Sequence, residues 1–269
     1  MILNLTPYQP LVKFEYTGRY EIVDDGDENW RIRFLSTGDF TPLEELTVDL
    51  FAVGGGAGGW AGLLGTGRGG GGGGYTATTK NVTLTAGAVY RVQVGSGGSR
   101  GILGSVTVAN IPPVGGEKSL FRDDANNDLV LADGGKTGAS GVVYSGGSGG
   151  SGGALGADSG LRVYYGGTNG GNGSSPDGTS GGSGQGTTTR EFGESGGSLY
   201  AAGGNAKSGD TGTISMSTLA GSDGLANTGN GGGAGGASFK AGGGSSANRR
   251  AGNGGAGGSG IVVMRNTRG

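Results

Sequence analysis

Apolar residues take every second position through Trp30-Arg31-Ile32-Arg33-Phe34, and the same rhythm opens Leu46-Thr47-Val48-Asp49-Leu50-Phe51-Ala52-Val53. A period of two is the pattern of a strand that buries one face. Asp24-Asp25-Gly26-Asp27-Glu28-Asn29 lies between apolar runs and predicts a hairpin connection. Further along, Tyr75–Thr79 and Val82–Thr85 are rich in β-branched residues, and Val89–Val94 follows an Ala-Gly turn. Ser105–Ala109 and Leu129–Ala132 are additional candidate strands, the second preceded by the turn-like Asp123–Asp128. Gly260-Ile261-Val262-Val263-Met264-Arg265 is a short apolar run expected to return and pair with Thr47–Val53, tying early and late parts of the chain together.

Between residues 134 and 259 both the strand period and the helix period disappear. Gly146–Ala154 reads GGSGGSGGA, so that Gly146, Gly149 and Gly152 fall on one line and Gly147, Gly150 and Gly153 on another. Gly166–Ser174, Asn230–Ser238 and Gly252–Gly260 are spaced in a similar way. A period of three matches the polyproline II helix, with three residues per turn. Collagen shares that period but needs abundant proline, and this chain has only 6.

Glycine makes up 72 of the 269 residues, a level that ordinarily marks low-complexity sequence. Ordering glycine costs more backbone entropy than ordering any other residue, and a lone polyproline II helix has no internal hydrogen bonds to offset it. A consistent solution packs many such helices side by side. Bare backbones then approach closely enough to bond one another, and the remaining Ser, Ala, Asn and Thr positions face outward or fill small gaps. The expected fold class is therefore mostly β plus polyglycine II. A small antiparallel β module, its early strands pairing with the C-terminal strand, packs beside a bundle of polyglycine II helices. The expected boundaries are a connector at 1–12, a β-rich module at 13–133 that includes the first polyglycine tract (54–74), the bundle at 134–259, and the returning strand at 260–269.

In such a bundle the non-glycine insertions become exposed tips: Ser99–Ile102, Leu155–Tyr165, Thr187–Tyr200, Lys207–Asn227 and Phe239–Arg250. Binding hot spots favour aromatic side chains and Arg, and loops on a rigid scaffold are a binding architecture. The candidate receptor-binding residues are Trp60, Arg100, Tyr144, Leu155, Tyr164, Tyr165, Phe239, Arg249 and Arg250. For the aromatic ones, packing between bundle and β module stands as the alternative.

Absences narrow the function further. The chain has no Cys and no His, which removes thiol nucleophiles, thiolate metal sites, Ser-His-Asp triads and imidazole acid–base work. A net charge of −2 gives no electrostatic reason to bind nucleic acid or anionic lipid. No apolar run is long enough to span a bilayer, and the first residues lack a secretory pattern. Gly134–Gly138 (GGKTG) resembles a P-loop, but the position of that pattern's first glycine is Val130 and no helix-forming sequence follows. The acidic groups at 24–28 and 123–128 lack EF-hand spacing and read as solvated turns. Arg68-Gly69-Gly70 is a single RGG unit without repetition. Glu191 and Glu194 form a carboxylate pair with no aromatic-lined sugar cleft evident around them. The expectation is a non-enzymatic protein without cofactor or metal. Thr187-Thr188-Thr189 is the only cluster that suggests a flat ice-binding face.

The ordered set FEYTGRYEIVDDGDENWRIRFLSTGDFTP, LTVDLFAVGGGAGGW, GGGGGGYTATTKNVTLTAGAVYRVQVGSGG, TTTREFGESGGSLYAAGG and GNGGAGGSGIVVMRN resembles the glycine-rich tail proteins of bacteriophages and prophages. The likeness covers about residues 13–269. Related architectures are the tail-fibre tip adhesins of T-even-like phages, with their polyglycine II sandwich, and the glycine-rich domain of anaplastic lymphoma kinase receptors. The resemblance implies a virion protein at the tail-fibre tip, made in the host cytoplasm without a signal peptide. It implies attachment to a tail-fibre or baseplate protein, and loops that bind a bacterial surface receptor, either a glycan or an outer-surface protein. A purely structural tail component is the alternative. Within the family, TTTREFGE and SLYAAGG look like recurring framework, which argues against Arg190 and Tyr200 as receptor contacts.

Overall fold

The strand periods read from the sequence become two antiparallel sheets in a computed structural model that describes residues 12–26, 28–62, 69–103, 111–138, 146–151, 153, 189–205, 219–239 and 249–267. The strands are β1 (Phe14–Tyr16), β2 (Tyr20–Gly26), β3 (Asn29–Phe34), β4 (Gly38–Pro42), β5 (Leu46–Val53), β6 (Thr76–Leu84), β7 (Tyr90–Gln93), β8 (Ser119–Arg122), β9 (Asp128–Ala132), β10 (Ala237–Phe239), β11 (Arg249–Ala251) and β12 (Ile261–Asn266). The first sheet has the order β1-β4-β7-β8-β9 and the second β2-β3-β12-β5-β6, while β10 and β11 form a separate hairpin. The described residues are mostly β with almost no helix.

The returning strand pairs as its sequence predicts. β12 lies antiparallel to β5, with Ile261 opposite Val53 and Val262 opposite Ala52, and its other edge pairs with β3. The runs 75–79 and 82–85 prove to be one strand, β6. Asn81 sits there at φ 57°, and its N–H donates to Asp49 Oδ1 at 3.1 Å. This bulge shifts the register against β5 between Val48 and Leu50 and lets the strand continue. Strands β4 and β8 were not evident from alternation, and Ser105–Ala109 lies outside the described residues.

The inner faces of the sheets pack on each other. Ile32, Phe34, Val48, Leu50, Val262 and Met264 from the second sheet meet Phe40, Val92, Phe121 and Val130 from the first. Phe34 bridges the gap, its ring 5.6 Å from Phe40 and 6.2 Å from Phe121. The second sheet is also covered on its outer face around β5 and β12. There Phe51, Val53, Ile261 and Val263 pack against Phe192, Tyr200 and Ala201. This explains why β5 ends, and β12 begins, in an unbroken apolar run rather than strict alternation.

Beyond the sandwich the strands continue as glycine segments. β5 runs into 54–62, β7 into 95–101 and β9 into 134–138, while 69–74, 114–117 and 252–260 lead back into β6, β8 and β12. Side chains hold stacked sheets about 10 Å apart. Where the side chains stop, segments from the two sheets close up and bond directly. In segment 54–62 the N–H groups of Gly54, Ala57 and Trp60 donate to Tyr75, Gly72 and Gly69. Those of Gly55 and Gly58 donate to Glu117 and Val114, and those of Gly56, Gly59 and Gly62 to Gly258, Gly255 and Gly252. The donors thus cycle among three neighbouring segments with a period of three. The carbonyls serve others: Gly56 and Gly59 accept from Gly98 and Gly101, Ala57 and Trp60 from Gly232 and Gly235, and Gly55 from Gly135. These bonds join glycine segments on both sides of residue 133.

Glycine is required here by close approach. A Cβ on Gly59 or Gly72 would lie closer than 3.0 Å to the carbonyl of Gly233 or Ser148, distances that real Cβ atoms do not show. In segment 252–260 the three non-glycine residues, Asn253, Ala256 and Ser259, are exposed or half-buried, whereas Gly252, Gly254, Gly255, Gly258 and Gly260 are buried.

Candidate functional site

The hydrogen-bond register gives the glycine body two ends. One is continuous with the sandwich; the other is where Gly62 bonds Gly252, Gly101 bonds Gly59 and Gly236 bonds Leu219. The β10–β11 hairpin, with Phe239 opposite Arg249, also stands there.

Two of the candidate receptor-binding side chains are described. Trp60 is half-buried within segment 54–62, with its N–H on the Gly69 carbonyl and its own carbonyl accepting from Gly235. Arg100 is exposed and pairs with Asp223 Oδ2 at 3.2 Å, joining two segments at the surface. The backbones of Phe239, Arg249 and Arg250 share this end with Trp60 and Arg100, while their side chains lie outside the described structure. Tyr144, Leu155, Tyr164 and Tyr165 lie outside the described residues altogether.

The stretch expected as a tip at Thr187–Tyr200 behaves differently where it is described. Residues 189–201 fold back on themselves, with the Tyr200 N–H on the Thr189 carbonyl and that of Glu191 on Ser198, and they lie on the outer face of the second sheet. A single 3-10 turn at Glu191–Gly193 puts Phe192 at φ 54°. Its ring rests against Phe51 and under the Arg265 guanidinium, 4.1 Å away. Glu191, 1% exposed, takes Arg31 Nη1 at 2.7 Å and the Tyr200 hydroxyl at 3.0 Å. Glu194 takes Arg265 Nη1 at 2.6 Å, and Arg265 also donates to Asp49 Oδ2 at 3.1 Å. Both carboxylates considered for acid–base chemistry are therefore engaged by guanidinium groups. Thr189, of the triple-threonine cluster, is fully buried.

Burial, reinforced by the Glu191 carboxylate, raises the Tyr200 hydroxyl well above its ordinary value of 10. A group raised in the folded state stabilises fully below its unfolded pKa, and that contribution is lost as pH rises toward the folded value. Stability should therefore hold up to about pH 10 and then fall, with Tyr200 adding about 1.4 kcal/mol per pH unit to the slope. Tyr200→Phe should remove that share of the alkaline slope in urea unfolding measured between pH 9 and 11. An unchanged slope would contradict the assignment.

Among the other acidic candidates, Asp24 and Asp123 are engaged within their turns and Asp25 by strand β3. Asp24 Oδ1 accepts from the Gly26 N–H and Asp25 pairs with Arg31. Asp123 accepts from the side chain and N–H of Asn127, which lowers its carboxyl pKa. Among the described residues no group of three or more acidic side chains is arranged to hold a metal ion. Lys136 of the GGKTG stretch is part of the segment bonding, its N–H on Ser148 and its carbonyl taken by Gly72.

The sequence model of a glycine-rich domain matches residues 35–267, taking in strands β4 to β12 together with the glycine segments between them. The chain belongs to the glycine-rich domain family. Curated proteins give no match. The glycine-rich domain as matched crosses residue 133, and so do the bonds from Gly135 to Gly55 and from Gly257 to Gly98. The buried contacts of Glu191 and Phe192 were not foreseen, since they fall in the polar, glycine-containing stretch Thr187–Tyr200 that reads as an exposed tip. The available signal was on the partner strand: Arg31 and Arg33 project to the same face of β3, where a covering carboxylate would be needed.

Proposed function

We propose that this glycine-rich domain is the receptor-binding protein of a phage tail-fibre tip, in which polyglycine II helices form a stiff body whose far end presents loops to a bacterial surface receptor. The supporting observation is the three-residue cycle of backbone donors in segment 54–62, the period of a helix with three residues per turn. At 3.1 Å per residue that segment would carry the far end roughly 25 Å from the sandwich. Trp60, Arg100 and the β10–β11 hairpin gather there, and the resemblance to phage tail proteins points to the same role. The receptor would be a glycan or outer-surface protein, contacted by Tyr144, Leu155, Tyr164, Tyr165, Phe239, Arg249 and Arg250 in addition to Trp60 and Arg100. The protein would be made in the host cytoplasm and carried in the virion on a fibre or baseplate partner. No catalysis, nucleic acid or membrane insertion enters this reading.

Fluorescently labelled protein should decorate cells of a susceptible bacterial strain and, in excess, block phage adsorption to them. Replacing Tyr164, Tyr165 and Arg249 together by alanine should abolish both effects while leaving thermal unfolding unchanged. The dense backbone bonding also favours a purely structural fibre component. Adsorption and host range that survive exchange of the far-end loops would select that second reading.

A further inference from the structure

Segment 95–102 runs on from β7 and is bonded to three neighbouring segments. Gly98 and Gly101 donate to Gly56 and Gly59, a step of three residues matched by a step of three. Ser96 and Ser99 accept from Glu117 and Val114, while Gly95, Gly98 and Gly101 accept from Gly260, Gly257 and Gly254. Equal steps mean that these segments lie along one axis. Segment 54–62 runs in the same direction as 95–102, and 111–117 and 252–260 run against it. The axis continues into the sandwich without a joint, because 54–62 prolongs β5, 95–102 prolongs β7 and 252–260 leads directly into β12. There β7 lies between β4 and β8, and β12 between β3 and β5.

Hydrogen bonds of antiparallel strands stand perpendicular to the strands. In the glycine body, too, the donors turn outward to neighbouring segments in succession. A pull along the common axis therefore loads these bonds sideways and together, so that many must yield at once. A pull across a sheet loads them along their own direction, and they open one after another. We infer that the protein is a tension-carrying coupler, in which force applied at the far end passes in shear through the glycine segments into the sandwich strands. Glycine serves this role by bond density: a strand is bonded on two sides, whereas segment 95–102 is bonded on three. The source of the pull rests on the attachment reading proposed above, with a receptor at the far end. The resistance rests on the bonding alone.

The chain has no Cys, so two introduced thiols are unique handles for single-molecule force spectroscopy of the full chain. Leu43→Cys with Ile102→Cys sets them along the axis. Leu43 follows β4 at the end of the sandwich remote from the glycine body, and Ile102 closes segment 95–102 in a bridge with Ile111. Ile22→Cys with Thr78→Cys sets them across the second sheet, on its edge strands β2 and β6, with Ile22 opposite Ile32 and Thr78 opposite Phe51. All four positions are exposed, where substitution changes stability little, and the two pairs enclose similar lengths of chain. Forced unfolding reads the barrier to unfolding. At one loading rate the axial pair should rupture at the higher force and in a single step. An axial force equal to or below the transverse force would overturn the inference. A first low-force step that frees segment 95–102 while the sandwich holds would overturn it as well, by taking the glycine body out of the path of force. Failure of the cell-binding assay with the axial force intact would strike the attachment reading and leave the mechanical one standing.

Discussion

Gly59→Ala is expected to destabilise the protein by about 3 kcal/mol or more, although alanine adds a single methyl group. Overpacking a core usually costs about 1–3 kcal/mol because neighbouring side chains can shift. Here the methyl meets the carbonyls of Gly233 and Gly232, and backbone held by bonds on both sides cannot give way cheaply. The Gly59 N–H bond to Gly255 and the bond Gly59 accepts from Gly101 would both stretch. Gly196→Ala is the matched control, since a Cβ there has nothing within 4 Å; its stability should change by less than about 0.5 kcal/mol. Urea unfolding of the two variants decides the matter, and equal midpoints would refute close backbone packing as the reason for glycine.

Asp49→Ala is expected to cost about 3–5 kcal/mol, the range for breaking a buried ion pair from one side. Asp49 and Arg265 have side chains 2% and 3% exposed and sit on paired strands, opposite one another in the β5–β12 register. Removing the carboxylate leaves a desolvated guanidinium whose one remaining carboxylate partner among the described residues is Glu194, itself half exposed. It also removes the acceptor that holds the Asn81 N–H in the β6 bulge. Glu194→Ala should cost about 1 kcal/mol or less, because an exposed partner contributes little. A double-mutant cycle with Arg265→Met should recover much of the Asp49 loss, since no lone buried charge then remains. Purely additive losses would show that the pair is not coupled.

These expectations rest on features that the sequence displayed unevenly. The strands β3, β5 and β12 were legible because burial of one face imprints a period of two, and the pairing of β12 with β5 followed from two apolar runs needing a partner. Strand β8, Ser119–Arg122, is too short to show a period and is held by β7 and β9 on its two sides. Strand β4 contains Gly38 and Pro42, residues that punctuate turns, and exists because β1 and β7 flank it. The spacing of glycines pointed to close backbone approach, but no local pattern says which segment bonds which. Gly54–Gly62 looked like part of the strand module and proves to be surrounded by segments from the whole chain. The charged clamp at Glu191 was only half legible: the alternation of Arg31 and Arg33 showed that their face of β3 needed a covering carboxylate, but not which residue would supply it. The far-end residues were chosen by chemical type, and the fold brings Trp60, Arg100 and the β10–β11 hairpin to one place.

The central position of β12 in its sheet also bears on how the chain is made. Its neighbours β3 and β5 are complete some two hundred residues earlier. At about 5–20 residues per second of synthesis, β5 would wait on the order of 10–40 s for its mate. Throughout that interval the nascent chain has an open seam between β3 and β5. Such an exposed edge invites chaperone capture or pairing between neighbouring ribosomes' products.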